Sequence, residues 1–377
     1  MGNNAEWKTY ELGDLLSYEQ PTPYIVESTD YNDKYDTPVL TAGKSFILGY
    51  TNEQTGVYDK LPVIIFDDFT TASRYVSFPF KVKSSAMKIL TANTDIVLPK
   101  FIYYRMQIIQ FDHSTHKRYW IQQYSKIKVI IPPLEEQQHI VARIEELFSQ
   151  LDDAEATLQK AKAQLEVYRK SVLKAAFSDC LNHVTIESVT QHVTDGDHMP
   201  PPKADNGVPF IMISNINGNY INWENTAYVG REYYEHLDSK RMPQKDDVLY
   251  TVTGSFGIPV LIDYSKEFCF QRHIALLRPK DIIEQKYLYY SMMEPSVYIQ
   301  AMKGATGTAQ KTVGLGVLRK ILIPFTQDRS EQLRIVNDIE KKLSVCENIE
   351  QTVDVALRQV IAMRQSILRR SFEGGVL

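Results

Sequence analysis

The chain has 377 residues, of which 44% are hydrophobic and 23% charged, with a formal net charge of −4 at pH 7. This is the make-up of a water-soluble globular protein, too long for one ordinary core, and it points to two or three domains. It excludes a membrane span, since no apolar run approaches the necessary length, and the mild negative charge gives no general argument for a nucleic-acid partner.

In chain order, Met1 to Glu6 is polar and does not read as a signal peptide, so cytoplasmic residence is expected. Pro62 to Asp67 reads as a short buried strand and Phe101 to Ile109 as a short helix. His113 to Leu134 contains no acidic residue and four bases, Lys117, Arg118, Lys126 and Lys128. His113, His116, Tyr119, Trp120 and Tyr124 are interleaved with them. Pro132-Pro133 then stands where proline is tolerated, just before a helix.

That helix carries apolar residues at Ile140, Ile144, Leu147, Leu151, Ala154, Leu158, Ala161, Leu165, Tyr168, Val172 and Ala175. The steps alternate between four and three, the period of a coiled-coil seam. A second globular stretch follows, with strand-like Asp247 to Val252 and helix-like Lys286 to Met293. Pro295 to Gln327 again has no acid and four bases, Lys303, Lys311, Arg319 and Lys320. Within it, Gly304 to Lys311 has glycines that let a backbone approach a ligand closely, and Gln310 can offer adenine a matched donor and acceptor. The last helix has its seam at Ile335, Ile339, Lys342, Cys346, Ile349, Val353, Ala356, Val360, Met363, Ile367 and Arg370, and Gly374-Gly375 ends it.

The two helices are copies. Glu136 to Phe177 aligns without a gap on Glu331 to Phe372, and 15 of the 42 aligned positions are identical, among them Gln137/Gln332, Glu145/Glu340, Glu155/Glu350, Arg169/Arg364 and Phe177/Phe372. A period this long marks two copies of one unit, a globular head followed by a rod of roughly 60 Å, and no solenoid. Packing the two rods against each other within one chain is the simplest way to bury both seams; pairing with a second chain is the alternative. The expected fold class is α+β: two mixed α/β heads separated by two long helices packed as an antiparallel coiled coil, a pseudo-two-fold internal repeat. The segments are residues 1–133, 134–179, 180–328 and 329–377. The seam is expected at Ile140, Ile144, Leu147, Leu151, Leu158, Leu165, Ile335, Ile339, Ile349, Val353, Val360 and Ile367.

The acid-free stretches stand at equivalent places in the two copies. Cations with amide and hydroxyl neighbours there suit contact with phosphates and base edges. Lys117, Arg118, Lys303, Thr308, Gln310 and Lys311 are the expected DNA contacts, with Arg74 and Arg272 in loops as further candidates. A solvated basic face is the plain alternative. No catalyst is evident: there is no Walker A sequence and no adenine methyltransferase motif. Asp195-Gly196-Asp197-His198, the His113/His116 pair and the Asp281, Glu284, Lys286 trio are weak as metal or nuclease sites. The three cysteines, Cys180, Cys269 and Cys346, are too widely spaced for a metal pair.

Two variable heads on two similar rods resemble the specificity subunit of type I restriction–modification systems. The likeness rests on Ile131-Pro132-Pro133-Leu134-Glu135-Glu136-Gln137, on Ile323-Pro324 with Glu331-Gln332, on the endings Arg169 to Phe177 and Arg364 to Phe372, and on the order of Thr194 to His198, Pro209-Phe210-Ile211, Asp246 to Leu249 and Gly254-Ser255-Phe256-Gly257. One departure is three extra residues between Pro324 and Glu331, compared with Pro132 to Glu136. The resemblance implies that residues 1–133 and 180–328 are target recognition domains, each reading half of a split site in double-stranded DNA, with the helix pair as a ruler. It implies two modification (methyltransferase) subunits as partners, carrying S-adenosylmethionine, which two restriction subunits using ATP and Mg can join. The subunit itself would hold no cofactor or metal and catalyse nothing. A coiled-coil adaptor joining two protein partners without DNA specificity is the competing reading.

Overall fold

The computed structural model describes residues 7–41, 45–112, 118–198, 201–308 and 310–372. They form two compact units: unit 1 runs to Leu158 and resumes at Val355, and unit 2 runs from Gln159 to Asp354. The division therefore falls inside both long helices.

Unit 1 is built on an antiparallel sheet of β1 (Leu16–Glu19), β2 (Val63–Asp67), β3 (Ser73–Val76) and β4 (Met87–Ala92), in the order β1-β4-β2-β3. Val63 to Phe66 are all buried, as their unbroken apolar run requires of a central strand covered on both faces. Helix α1 (Pro99–Met106) follows, with proline in its first turn, where the missing N–H is no loss. The N-terminal strand Lys8–Glu11 pairs antiparallel with Lys128–Ile131, the strand that leads into α2 (Leu134–Ala176).

Unit 2 repeats the plan. Its sheet holds β5 (Thr190–Asp195), β6 (Val248–Thr251), β7 (Pro259–Leu261) and β8 (Ile274–Pro279), in the order β5-β8-β6-β7. Then come α3 (Gln285–Met293), α4 (Pro295–Gly304), α5 (Leu315–Lys320) and α6 (Arg329–Phe372). His183–Thr185 pairs with Leu322–Pro324 just before α6. Helices α2 and α6 start at equivalent positions of the repeat, so the three extra residues after Pro324 are taken up in the connection. None of the described helices is long and apolar enough to cross a membrane.

Each head is fastened to its helix by a buried glutamine. Gln137 is fully buried; its Oε1 accepts the Leu98 N–H at 2.8 Å, and its Nε2 donates to the carbonyls of Ile96 (2.9 Å) and Pro132 (2.8 Å). Gln332 does the same in unit 2, accepting from Glu284 N–H at 2.7 Å and donating to Ile282 (3.0 Å) and Thr326 (2.7 Å). Leu98 and Glu284 are the residues that open α1 and α3, so each amide satisfies a helix-end donor that has no partner in its own helix. Two turns further on, Glu145 pairs with Lys100 and Glu340 with Lys286.

The other helix closes the same core. In unit 1, Phe372 of α6 meets Phe101 edge-on at 5.1 Å between ring centres, and Leu368 joins that core. In unit 2, Phe177, just past α2, meets Tyr287 edge-on at 5.4 Å, beside Leu173. The helices run antiparallel within one chain: in unit 2, Lys162 pairs with Asp354 (2.7 Å) and Arg169 with Glu350 (2.6 Å). In unit 1, Arg364 pairs with Asp152 and with Glu155 (3.4 Å). Arg169–Glu350 and Arg364–Glu155 are the same contact with the repeats exchanged.

One row of the seam differs from expectation. Ile144, Leu151, Ile335, Ile339, Val353 and Val360 are buried, and Ile140, Leu147, Leu158, Leu165 and Ile367 are half-buried. Ile349, however, is 44% exposed, and Tyr168 and Met363 are also exposed. The second row lies one residue later, at Phe148, Glu155, Lys162 and Arg169 on α2 and at Leu343, Glu350, Leu357 and Arg364 on α6, all half-buried. The 4-3 spacing is compatible with either row, and apolar content favours the earlier one. The row that faces the partner is the one whose long stems can lie along the seam while their charged heads pair. Such partly exposed pairs add little net stability; they fix register and direction.

Gln137→Leu leaves three backbone groups without their partner, one buried and two part-buried, at about 1–3 kcal/mol for a buried group before the added apolar burial is counted. Urea unfolding should show a loss of about 3 kcal/mol, whereas Gln138→Leu, at an exposed position, should change stability by under about 0.5 kcal/mol.

Candidate nucleic-acid interface

In unit 2 the interface grows from a tight crossing of backbones. A Cβ on Gly196 would lie 1.9 Å from the Phe270 carbonyl oxygen, so only glycine lets this strand end pass. Asp197 then bridges to Gln271 in parallel pairing. This brings His198 to the run Gln271-Arg272-His273, which enters β8. The carboxylates of the motif are occupied: His198 Nε2 is 3.0 Å from Asp195, Tyr233 hydroxyl donates to Asp197 at 2.9 Å, and the Arg241 guanidinium lies 4.0 and 3.7 Å from the two aspartates.

The glycine-containing loop forms the opposite wall. Thr306 and Thr312 exchange backbone hydrogen bonds of 2.9 and 2.8 Å, closing the loop. Val313 N–H donates to Val252 and Gly254 N–H to the Lys311 carbonyl, fixing the loop to the residues after β6. Gly307 sits at φ +99°, and a Cβ there would strike the Gln310 carbonyl at 2.4 Å. Thr308, Gln310 and Lys311 are exposed on this loop, and the Gln310 amide lies over Gly254.

Arg272 and Gln310 thus share one cleft of about 360 Å³, with Asp195, His198, Thr253 and His273. A larger cavity of about 830 Å³ shares His198, Arg272 and His273 with it and adds Gln271 and Lys203 above an apolar floor that includes Phe210 and Met212. Arg272 is exposed, and among the described residues no carboxylate lies within ion-pair distance of it. Burial, and then the charge of Arg272, holds His273 below the ordinary histidine range. It is therefore a neutral ring able both to donate and to accept at physiological pH. Lys303 is exposed in the last turn of α4 and does not line the cleft.

In unit 1, Arg74 is exposed on β3, 6.0 Å from the Phe46 ring. Arg118 is exposed directly before the short helix Tyr119–Gln122, whose first N–H groups are held by Asp68. Lys117, His113 and His116 lie outside the described residues.

Several charged candidates are structural. Glu284 caps α3 by accepting Tyr287 N–H at 2.7 Å, Lys286 pairs with Glu340, and the Asp281 carbonyl accepts from Arg329. Arg319, one of the bases of the second acid-free stretch, donates to the Val193 carbonyl at 2.8 Å. Sequence reasoning missed His198, Gln271, His273 and Lys203 as cleft residues. The available signal was three consecutive hydrogen-bonding side chains just before a buried apolar strand.

His192 is likewise held below the ordinary histidine range by burial first, with Arg278 adding to it. For both histidines the unfolded chain takes up protons at a pH where the folded chain does not. Stability is therefore complete above the ordinary histidine pKa and falls as pH drops through that window. The urea midpoint should be lower at about pH 5.5 than at about pH 7.5, and the H192N/H273N double variant should lose less over the same interval.

A family model for the type I restriction modification DNA specificity domain matches the chain twice, over residues 4–166 and 195–356. The type I restriction enzyme EcoR124I/EcoR124II specificity subunit of Escherichia coli is 32% identical over 385 residues, covering 95% of this chain and 92% of that protein. The MjaVIII specificity subunit of Methanocaldococcus jannaschii is 20% identical, covering 94% and 91%. Among solved structures, a chain from a study of assembly and conformational transition of the type I R-M system superposes with a TM-score of 0.72 at 17% identity, covering 99% of each chain. The crystal structure of the HsdS subunit from Thermoanaerobacter tengcongensis gives 0.51, also at 17% identity, over 99% and 98%. At such identities these two establish a shared fold.

Proposed function

This chain belongs to the DNA specificity subunits of type I restriction–modification systems, and from that premise we propose that each unit reads one half of a split site while the α2/α6 pair sets the gap between the halves. The observation that carries this is repetition: one family domain occurs twice, and each copy is held by the same glutamine to one of two homologous helices. In unit 2, the reading surface is the cleft of Arg272, His273 and Gln310, with Lys303 and Lys311 as backbone contacts; in unit 1 it includes Arg74, Lys117 and Arg118. The modest net charge fits a subunit whose partners supply much of the phosphate contact.

The partners are two methyltransferase subunits carrying S-adenosylmethionine, which two restriction subunits using ATP and Mg can join in the cytoplasm. This chain supplies recognition and no catalytic group. Of the weak catalytic candidates in unit 2, Glu284 and Lys286 are engaged in capping and ion pairing, and Asp195 and Asp197 are engaged by His198, Tyr233 and Arg241, which supports that division of labour.

A methylome of cells carrying this chain with its methyltransferase should show two short sequences separated by a constant gap; a contiguous site would overturn the two-reader proposal. In the reconstituted complex, Gln310→Ala and Arg272→Ala should each relax one half-site by about 1–3 kcal/mol of discrimination. Lys311→Ala should instead weaken binding to all sequences and lower the salt slope by about 1.

Deleting one heptad from each long helix, at repeat-equivalent positions, removes roughly 10 Å of each rod. The methylated gap should shorten by about three base pairs with both half-sites unchanged. An unaltered gap would reject the ruler.

A further inference from the structure

Unit 1 contains a buried ion pair between Asp68 and Lys88. Asp68 is 2% exposed and Lys88 1% exposed, with Nζ 3.3 Å from Oδ2. Asp68 stands in the turn between β2 and β3, and Lys88 lies on β4, paired in register with Phe66. Three further bonds leave Asp68. Its N–H donates to the Ala86 carbonyl at 3.2 Å, its carbonyl accepts Tyr119 N–H at 2.9 Å, and its Oδ1 accepts Trp120 N–H at 2.8 Å.

Tyr119 and Trp120 are the first residues of the four-residue helix that follows Arg118, and Arg118 gives that helix no side-chain cap. One helical turn does not hold itself together in water, and its first N–H groups have no partner within it. Asp68 supplies both partners from another part of the chain. The Trp120 ring is seated in the same place, 5.2 Å from Phe66.

Stability alone does not account for a charged pair here. Burying a lysine and a carboxylate costs desolvation that their attraction only partly returns, and apolar side chains of similar size often serve as well or better. What an apolar pair cannot do is accept the Trp120 N–H. Unit 2 meets the same demand without charge. The residues just after β6 hold the segment that closes the Gln310 loop through Val252–Val313 and Gly254–Lys311 backbone bonds and a Thr312–Thr253 hydroxyl contact of 3.3 Å.

We propose that Asp68 is a positioning residue for DNA recognition by unit 1: it fixes the backbone that presents Arg118, and Lys88 is the counter-charge that keeps its carboxylate in place. This rests on the reading of Arg118 as a DNA contact.

The test compares two double variants, each in complex with the partner methyltransferase. D68N/K88M removes both charges and keeps an acceptor for Trp120; D68A/K88M removes the charges and the acceptor. D68A/K88M should lower affinity for the cognate duplex as much as Arg118→Ala does, roughly tenfold. Adding Arg118→Ala to it should cost little more, because the two act on one contact. D68N/K88M should stay within about twofold of the parent. Discrimination in the half-site read by unit 2 should be unchanged throughout. Equal losses in both double variants, or full additivity of D68A/K88M with Arg118→Ala, would overturn the positioning role. An Arg118→Ala variant that binds normally would remove the contact itself and the proposal with it, whereas a defective Arg118→Ala beside a normal D68A/K88M would sink the positioning role alone. Should D68A/K88M not fold, D68S/K88M, whose side chain leaves less space than alanine but stops short of Trp120, serves the same comparison.

Discussion

The buried glutamine at the start of each long helix is the constraint on which the rest of the fold depends. A helix can rotate or slide against an apolar surface at small cost, because dispersion and the hydrophobic effect have little direction. An amide sealed from water and matched to one N–H and two carbonyls has one acceptable position, since displacement would strand all four groups. Gln137 and Gln332 therefore define the rotation and height at which α2 and α6 leave their heads. Everything a recognition surface needs from its scaffold, a fixed origin and orientation, follows from that anchor.

Charge plays a parallel part along the helix pair. The reciprocal Arg169–Glu350 and Arg364–Glu155 contacts place unlike charges opposite each other only when the helices run antiparallel and in one register. Lys162–Asp354 has no counterpart in the other repeat, where Leu357 and Gln159 stand at the equivalent positions. The duplicated contacts preserve the common plan, while the unduplicated one shows that the copies have diverged even along their shared seam.

Much of this was legible in the sequence because helical repetition leaves a regular trace. The 15 identities between the two long helices include the anchoring glutamines, the glutamates that pair with Lys100 and Lys286, and the phenylalanines that close each core. Their roles were not legible, since an identity says that a residue is required and not what it touches. The expected seam includes the exposed Ile349 because hydrophobicity favours the continuously apolar row, whereas along the middle of the helices the row that faces the partner carries Glu155, Lys162, Arg169, Glu350 and Arg364. Sequence brought Arg272 and Gln310 forward separately, but their common cleft depends on a loop closure between Thr306 and Thr312 and on backbone approach at Gly196, neither of which has a period. His273 was missed for the same reason: its neutral state comes from burial, which one sequence position does not announce.

The division of the chain has a consequence for synthesis. Unit 2 is one continuous stretch, Gln159–Asp354, whereas unit 1 draws its last core residues, Leu368 and Phe372, from beyond unit 2. On the ribosome the second unit can complete its core first, although it begins later. Unit 1 cannot finish its core until Leu368 and Phe372 have been made, so the head that is synthesised earlier is completed later.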